Sequence, residues 1–236
     1  YSPYGTGRQY NEFNSISILE RNNIKNIPKI FDVSYDYNIS IFNFINGTKI
    51  KKIKTEDLIY IIKFVRKINL IKKINTNKVQ LSTEHCLTYN ELLRQIDVRI
   101  KTLKKLSNNF NELNKFLDDK LIPVLKKVKI ETKIKLKKHK INYLYKVNNP
   151  ILNHNDLGGH NILKNKSSFY LIDFEYFGKD DLSKLICDFI LHPGMKIDDS
   201  QKIYWLNKMF DIFNDHKKIK EKTGLLYPLF AIRWSL

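Results

Sequence analysis

The sequence is poor in cysteine and contains no long uninterrupted run of apolar residues. Its two cysteines, Cys86 and Cys187, are far apart and belong to no pairing motif, which excludes a zinc-binding framework and a disulfide scaffold. Unpaired cysteines favour a reducing compartment, so a cytoplasmic location is expected. The apolar runs stay below the roughly 18 residues that a membrane-spanning helix needs, so no membrane partner is expected. Internal repeats are also absent, which excludes a solenoid.

Acidic residues are scarce relative to basic ones. The chain has 42 Lys and Arg against 24 Asp and Glu, a formal net charge of +18. This excess suggests nucleic-acid binding, but the lysines are spread along the whole chain. The densest basic runs, 49–54 and 126–140, contain no interleaved aromatic residues that could stack on bases. A solvated surface is therefore the preferred interpretation, with no specific nucleic-acid partner, and the positive field would favour an anion such as ATP.

Two polar clusters stand close together near the middle of the chain. His154, Asp156 and Asn161 form the pattern H-x-D-x-x-x-x-N, and Asp173 follows the apolar run 169–172. Apolar residues on both sides of the turn-forming segment 165–168 predict a strand, a turn and a second strand. Such a hairpin brings its outer ends together. Asn161 and Asp173 are therefore predicted to lie side by side, with Asp156 across from them.

This residue set suits phosphoryl transfer, which depends on positioning and on neutralising charge. An amide and a carboxylate oxygen, from Asn161 and Asp173, are ligands that Mg²⁺ accepts. Asp156 is then free to orient and deprotonate an acceptor hydroxyl. His154 is better placed to brace the loop than to react. The alternative is a polar hairpin tip, with a capping aspartate and a hydrogen-bonded histidine that have no catalytic role.

The segments His-Asn-Asp-Leu-Gly-Gly-His-Asn and Ile-Asp-Phe-Glu resemble the aminoglycoside phosphotransferase and choline kinase-like family, whose members are related to protein kinases. The resemblance implies that Asp156 is the catalytic base and that Asn161 and Asp173 bind Mg²⁺. It extends to the segment 180–188, where a family aspartate near Asp188 braces the catalytic loop from a helix. His192 precedes a Pro-Gly turn, and a structural role is expected for it.

The N-terminal part contains a helix from Arg8 to Leu19, followed by a hairpin formed by 30–33 and 39–42. Under the resemblance, Glu12 corresponds to the helix glutamate that pairs with a strand lysine. The segment 42–47 corresponds to the hinge that receives adenine, so Phe42, Asn43 and Phe44 are candidate ATP-binding residues. For Glu12 the alternative is an ordinary surface carboxylate.

The remainder is predicted to be mainly helical. A stripe of Leu58, Ile61, Val65 and Ile68 follows a plausible N-cap at Thr55. Further helices are predicted over 88–106, over 113–121 until Pro123 kinks or restarts the helix, over 182–191 and over 199–213. We interpret the apolar stripes as core positions.

These features predict an α+β, protein-kinase-like fold with two lobes. Residues 1–47 would be the remainder of a small β lobe with its hinge, and 48–236 a larger, mainly helical lobe. The expected function is transfer of the γ-phosphate of ATP to a hydroxyl of a small molecule, such as an aminoglycoside, an amino alcohol or a sugar-like acceptor. The alternative is a nucleotide-binding regulatory protein without turnover. The oligomeric state is left open.

A glycine-rich loop and a strand lysine would precede the helix glutamate under this resemblance. Neither precedes Glu12 in the sequence. The sequence is therefore expected to be a fragment of a longer kinase-like chain.

Overall fold

The structure is a computed structural model that describes residues 5–37, 39–70, 79–107, 110–141, 149–165, 168–214 and 216–236. The helices are α1 (Gly5–Arg21), α2 (Thr55–Leu70), α3 (Tyr89–Ser107), α4 (Asn111–Phe116), α5 (Ile122–Lys138), α6 (Leu182–Leu191), α7 (Asp199–Phe213) and α8 (His216–Ser235). The strands are β1 (Ile30–Ser34), β2 (Ile39–Phe42), β3 (Thr48–Lys49), β4 (Ile151–Asn153), β5 (Ile162–Asn165), β6 (Ser168–Leu171) and β7 (Gly178–Asp180).

The N-terminal part forms one helix and one hairpin, as predicted. α1 buries Ile16 and Leu19, and β1 pairs with β2 in an antiparallel register that joins Ser34 to Ile39. Position 38, between the two strands, lies outside the described ranges. Leu171 donates its backbone N–H to the carbonyl of Asn26, so the connection from α1 to β1 also contacts β6.

The predicted stripe on α2 is buried. Leu58, Ile61, Val65 and Ile68 are each at most 1% exposed. The helix begins at Thr55, and the carboxylate of Asp57 in its first turn accepts a hydrogen bond from the backbone N–H of Lys54 at 3.0 Å. That contact satisfies an N–H group near the helix start, where backbone donors lack partners within the helix.

α3 begins at Tyr89, one residue after the predicted start. Thr88 Oγ1 accepts the backbone N–H of Glu91, and the Glu91 carboxylate accepts the N–H of Thr88 in return. This reciprocal pair is a capping box. The region after α3 continues through a π-helical turn, Leu117–Leu121, into α5, where Pro123 lies in the first turn. The proline therefore lies just after the π-helical turn, in a helical segment that already runs before it, since Leu121 has φ of −71° and ψ of −48°.

α6 lies between the two hydrophobic cores. Leu185 and Ile186 pack into the core that contains α2, the central hairpin and Trp205 of α7. Cys187 faces the second core, formed mainly by α3 and α8. Every residue from 182 to 189 is buried, including Lys184 and Asp188. A helix buried on all sides is a rigid platform for whatever its polar side chains contact.

The central hairpin is present as predicted. β5 pairs with β6 in an antiparallel register from Ile162 with Leu171 to Asn165 with Ser168, and residues 166 and 167 are outside the described ranges. β3 adds a third strand beside β5, through Thr48 and Lys164. β3 and the pair formed by β4 and β7 are not predicted by the sequence patterns. These strands have two or three residues each, too few for an alternating pattern to be visible.

The architecture is thus an α+β fold with a larger helical part, as predicted. β3 starts at Thr48, one residue after the predicted boundary between the two lobes at position 47. The division into two lobes stays a prediction. Within the described residues, no helix combines the length and apolar character that crossing a bilayer requires.

Candidate active site

The loop after β4 carries the first polar cluster. Asn155, which follows His154, adopts a left-handed backbone with φ of 66°. Asparagine tolerates this conformation because its short side chain bonds locally. Its backbone N–H donates to Oδ1 of Asn153, and its side chain donates to the carbonyl of Tyr176 at 3.2 Å. The chain therefore turns sharply at Asn155, immediately before Asp156.

Asp156 is the centre of the site. Asn161 donates from Nδ2 to Oδ2 of Asp156 at 2.8 Å, and also to its backbone carbonyl at 3.1 Å. His160 Nε2 lies 3.2 Å from the same Oδ2, and His192 Nε2 lies 3.2 Å from Oδ1. Both carboxylate oxygens therefore have hydrogen-bond partners. The predicted proximity of Asp156 and Asn161 is confirmed.

Asn161 and Asp173 stand at the two outer ends of the hairpin. The backbone N–H of Ile172 donates to the carbonyl of Asn161 at 3.0 Å, which fixes the two ends side by side. Asp173 has φ of 65°. A left-handed aspartate costs some backbone strain, and such strain is concentrated at functional sites. With its Nδ2 turned to Asp156, Asn161 has its other amide atom, Oδ1, available for a further ligand.

His154 is fully buried and braces the site from behind. Its Nε2 lies 3.0 Å from the carbonyl of Ile172, the residue before Asp173, and its ring meets Phe174 edge-on. Burial lowers the pKa of His154, although the charges of Asp156 and Asp173 act in the opposite direction. A neutral ring with its proton on Nε2 fits this contact. His154 therefore connects the two polar clusters.

Asp156 is held in its charged form. Burial alone would raise its pKa, but the hydrogen bond from His192 and the neighbouring imidazoles hold the pKa of Asp156 below its usual value. A carboxylate that receives hydrogen bonds is stabilised as the anion. At neutral pH this side chain is therefore an acceptor of protons and hydrogen bonds.

Glu12 on α1 lies beside the second polar cluster. Its Oε1 accepts the backbone N–H of Phe174 at 3.1 Å. Burial raises the pKa of Glu12 to about 7, and the nearby charges of Asp173 and Glu175 act in the same direction, against that hydrogen bond. Arg8 forms an ion pair with Glu175 at 3.1 Å. α1 is thus attached to the segment that presents Asp173.

The predicted hinge residues lie just before β3, the strand that pairs with β5. Phe42 ends β2 and is half-buried, whereas the Phe44 side chain is 89% exposed. Asn43 exchanges hydrogen bonds with Lys29, donating its backbone N–H and accepting the N–H of Lys29 on Oδ1. The chain then runs through Gly47 into β3, which pairs with β5 next to the site. The adenine-binding role of Phe42, Asn43 and Phe44 stays a prediction.

The link between Asp188 and the loop that carries Asp156 is indirect. Asp188 pairs with Lys184 at 2.9 Å, and Lys184 donates from Nζ to Oδ1 of Asn155 at 2.6 Å. Lys184 also lies 3.2 Å from Asp180, and Asp188 accepts from Trp234 at 2.7 Å. Burial alone would raise the pKa of Asp188, but the adjacent cations Lys184 and Arg233 hold it below its usual value. The expected brace from this helix is therefore completed by Lys184.

His160 and His192 contact Asp156, although the sequence patterns predict a catalytic or binding role for neither histidine. His160 lies inside the motif, four residues after Asp156. A histidine at this position of a turn has no sequence feature that predicts a contact with the carboxylate. His192 was expected to be structural, and it contacts Asp156 from 36 residues away. Both rings crowd against Gly158, where a Cβ would lie 2.3 Å from His160 Cε1 and 2.6 Å from His192 Cε1. The glycine therefore permits the two histidines to approach the carboxylate.

A large cavity among the described residues lies elsewhere. It has a volume of about 950 Å³ between α3, α5, α6 and α8, and Cys86, Leu136, Leu226 and Phe230 form part of its apolar wall. None of Asp156, Asn161 and Asp173 lines it. Ile141 and Asn149 also belong to its wall. The convergence of polar groups therefore identifies the candidate active site better than cavity size does.

The fold is shared with solved structures of small-molecule kinases. No protein-family model matches the sequence, and no curated protein matches it. Solved structures do match. An ethanolamine kinase of Plasmodium vivax superposes with a TM-score of 0.60 at 19% identity, over 96% of this chain and 65% of that one. The present chain therefore spans less than two thirds of that protein's length.

Two further solved structures have a similar fold. An aminoglycoside phosphotransferase with ADP bound has a TM-score of 0.59 at 16% identity, over 96% of this chain and 74% of that one. A choline kinase of Cryptosporidium parvum has a TM-score of 0.57 at 14% identity, over 94% of this chain and 70% of that one. At these identities the likeness establishes the fold. The resemblance stated from the motifs is confirmed at that level.

Proposed function

We propose that the protein is an ATP- and Mg²⁺-dependent phosphotransferase that transfers the γ-phosphate to a hydroxyl of a small molecule. The observation that carries the proposal is the contact between Asn161 and Asp156 at the base of the hairpin that also presents Asp173. The Asp156 carboxylate is held as an anion by hydrogen bonds, the Asn161 amide contacts it, and Asp173 stands at the other end of the same hairpin. Phosphoryl transfer needs this division between a base and metal ligands.

Asp156 would act as the general base. Its charged form can accept the proton of an acceptor hydroxyl as that oxygen attacks the γ-phosphorus, while the bond to the ADP oxygen breaks. Asn161 orients the base through Nδ2. His154 keeps the Asp156 loop in register with Asp173 through the carbonyl of Ile172.

Asn161 Oδ1 and the carboxylate of Asp173 would hold Mg²⁺. Both are oxygen donors, as a hard cation prefers, and the amide orientation leaves Oδ1 as the free atom. Bound there, the ion would neutralise charge on the phosphates. Glu12 contacts the backbone next to Asp173 and would support the same segment. The hinge 42–47 would receive adenine through its backbone groups.

The acceptor classes follow from the similar structures, which include ethanolamine and choline kinases and aminoglycoside phosphotransferases. We infer an acceptor that is an amino alcohol, an aminoglycoside or a sugar-like molecule. A cytoplasmic location is proposed with it, because ATP is the phosphate donor.

The test is a transfer assay with γ-labelled ATP and Mg²⁺ against a panel that contains ethanolamine, choline, aminoglycosides and simple sugars. Labelled product that requires both Mg²⁺ and one acceptor class would support the proposal. Saturable ATP binding with no labelled product from any acceptor would instead support the regulatory alternative. A parallel assay with EDTA separates metal-dependent transfer from background hydrolysis.

A further inference from the structure

The surroundings of His192 differ from those of an ordinary surface histidine. Its side chain is only 10% exposed, and its ring meets Trp234 edge-on at a centroid distance of 5.1 Å. Nε2 lies 3.2 Å from Oδ1 of Asp156. Nδ1, on the opposite side of the ring, accepts the backbone N–H of Gly194 at 3.0 Å. Both ring nitrogens are therefore engaged.

The contact with Gly194 determines which nitrogen carries the proton. A backbone N–H can only donate, so Nδ1 must offer its lone pair. The neutral imidazole then has its hydrogen on Nε2, directed at the carboxylate of Asp156. The Pro-Gly turn at 193–194 thus sets the tautomer of a ring that contacts the proposed base.

A metal site is the competing explanation for this cluster. The ligand atoms of Asp156, His160 and His192 lie within 4.8 Å of one another, a spacing that a transition metal could bridge. A metal-bound histidine, however, donates its second ring N–H to an acceptor. At His192 the second nitrogen faces a donor, the N–H of Gly194. The geometry therefore favours a hydrogen bond over a metal.

His160 contacts the same carboxylate in a different way. Its side chain is 48% exposed, and it approaches Oδ2, which already accepts from Asn161 at 2.8 Å. Loss of His160 would leave Oδ2 with the Asn161 amide. Loss of His192 would remove the hydrogen bond to Oδ1. The two histidines are therefore not equivalent.

We propose that His192 is a positioning residue that fixes the orientation of the Asp156 carboxylate for proton abstraction from the acceptor. The inference rests on the proposed function and deepens it. His192 holds Oδ1 from one side while Asn161 holds Oδ2 from the other, so the carboxylate cannot rotate. A base held in one orientation needs no reordering when the acceptor binds.

The test compares two substitutions at His192. His192→Phe keeps a ring against Trp234 but removes the donor, whereas His192→Gln restores an N–H near the position of Nε2. Loss of a hydrogen bond to a charged group predicts that kcat of His192→Phe falls by about 10- to 100-fold. The KM for ATP should stay near the wild-type value, and His192→Gln should recover most of kcat. His160→Ala should lose less than His192→Phe, and exposed His139→Gln serves as the control.

A second readout does not depend on turnover. Long-range proton–nitrogen NMR spectra of the histidine rings should show His192 as the neutral Nε2–H tautomer, with the signal assigned by its loss in His192→Phe. A Nδ1–H tautomer, including one produced by bound Zn²⁺, would overturn the proposal, as would a folded His192→Phe with wild-type kcat. Absence of turnover in the wild-type protein would instead overturn the proposed function itself.

Discussion

Lys184 on α6 donates a 2.6 Å hydrogen bond from its buried ammonium group to Oδ1 of Asn155, the residue before Asp156. The same ammonium pairs with Asp180 and Asp188, and all three charged groups are at least nine-tenths buried. Burial would lower the pKa of Lys184, but the two carboxylates raise it, so the ion stays charged. The loop that carries Asp156 is thereby attached to α6, in which every residue from 182 to 189 is buried.

Lys184→Met should destabilise the protein strongly. Removing one partner of a buried ionic network leaves uncompensated charge, which costs about 3–5 kcal/mol. Urea unfolding measures the loss. Lys202→Met is the matched control, since Lys202 pairs with Asp199 at the surface and should stay near wild type. Equal stability of the two variants would show that the buried network does not support the loop.

Gly158→Ala should disturb the site without straining the backbone. Gly158 has φ of −79° and ψ of 154°, which alanine adopts freely, so the effect comes from the contact of Cβ with the two histidine rings. Transfer activity should fall as the rings move away from Asp156. Gly224→Ala in α8 is the control, because a Cβ there meets no atom within 4 Å. Unchanged activity in Gly158→Ala would contradict the crowded arrangement.

Glu12→Gln should change how stability depends on pH. The pKa of Glu12 is raised to about 7 in the folded protein from 4.5. The unfolded chain therefore releases this proton at lower pH, and folding becomes less favourable as pH rises from about 4.5 to 7. Glutamine keeps the acceptor for Phe174 and removes the titration. Compared with wild type, the variant should be about 3 kcal/mol more stable at pH 8 and similar near pH 4.

Urea unfolding in EDTA at the two pH values measures this difference. Glu20→Gln, on the exposed side of the same helix, is the control variant. A Glu12→Gln effect of the same size at both pH values would show that the pKa of Glu12 is not raised in the folded protein.

The two proposed metal ligands should respond differently to Mg²⁺. Asp173→Asn removes the charge while keeping a residue type that tolerates φ of 65°, and it should be inactive at every Mg²⁺ concentration. Asn161→Ala removes a neutral ligand, so excess Mg²⁺ should restore part of its activity. Activity measured across a Mg²⁺ titration separates the two. Mild and equal losses would show that neither side chain binds the metal.

The hairpin and the helices were predictable because their patterns are local. The stripe on α2 and the apolar runs on both sides of the turn at 165–168 specify which faces are buried. The hairpin register then brings Asn161 next to Asp173, so the proposed metal ligands could be placed from the sequence.

The contacts across the chain were not predictable in this way. His192 reaches Asp156 from beyond α6, and Lys184 substitutes for the direct contact expected of Asp188. Both depend on the packing of α6 between two cores, a tertiary relationship that leaves no local pattern. The short strands β3, β4 and β7 were missed for a related reason. Each is specified by its partner strand more than by its own residues.

The central claim is that Asp156 is the general base of a phosphoryl transfer. Its most direct test is single-turnover transfer from γ-labelled ATP to the best acceptor, comparing wild type, Asp156→Asn and the surface control Asp211→Asn. We expect Asp156→Asn to bind ATP normally but to transfer phosphate about 10²- to 10⁴-fold more slowly, and Asp211→Asn to be unaffected. Transfer by Asp156→Asn at the wild-type rate would contradict it.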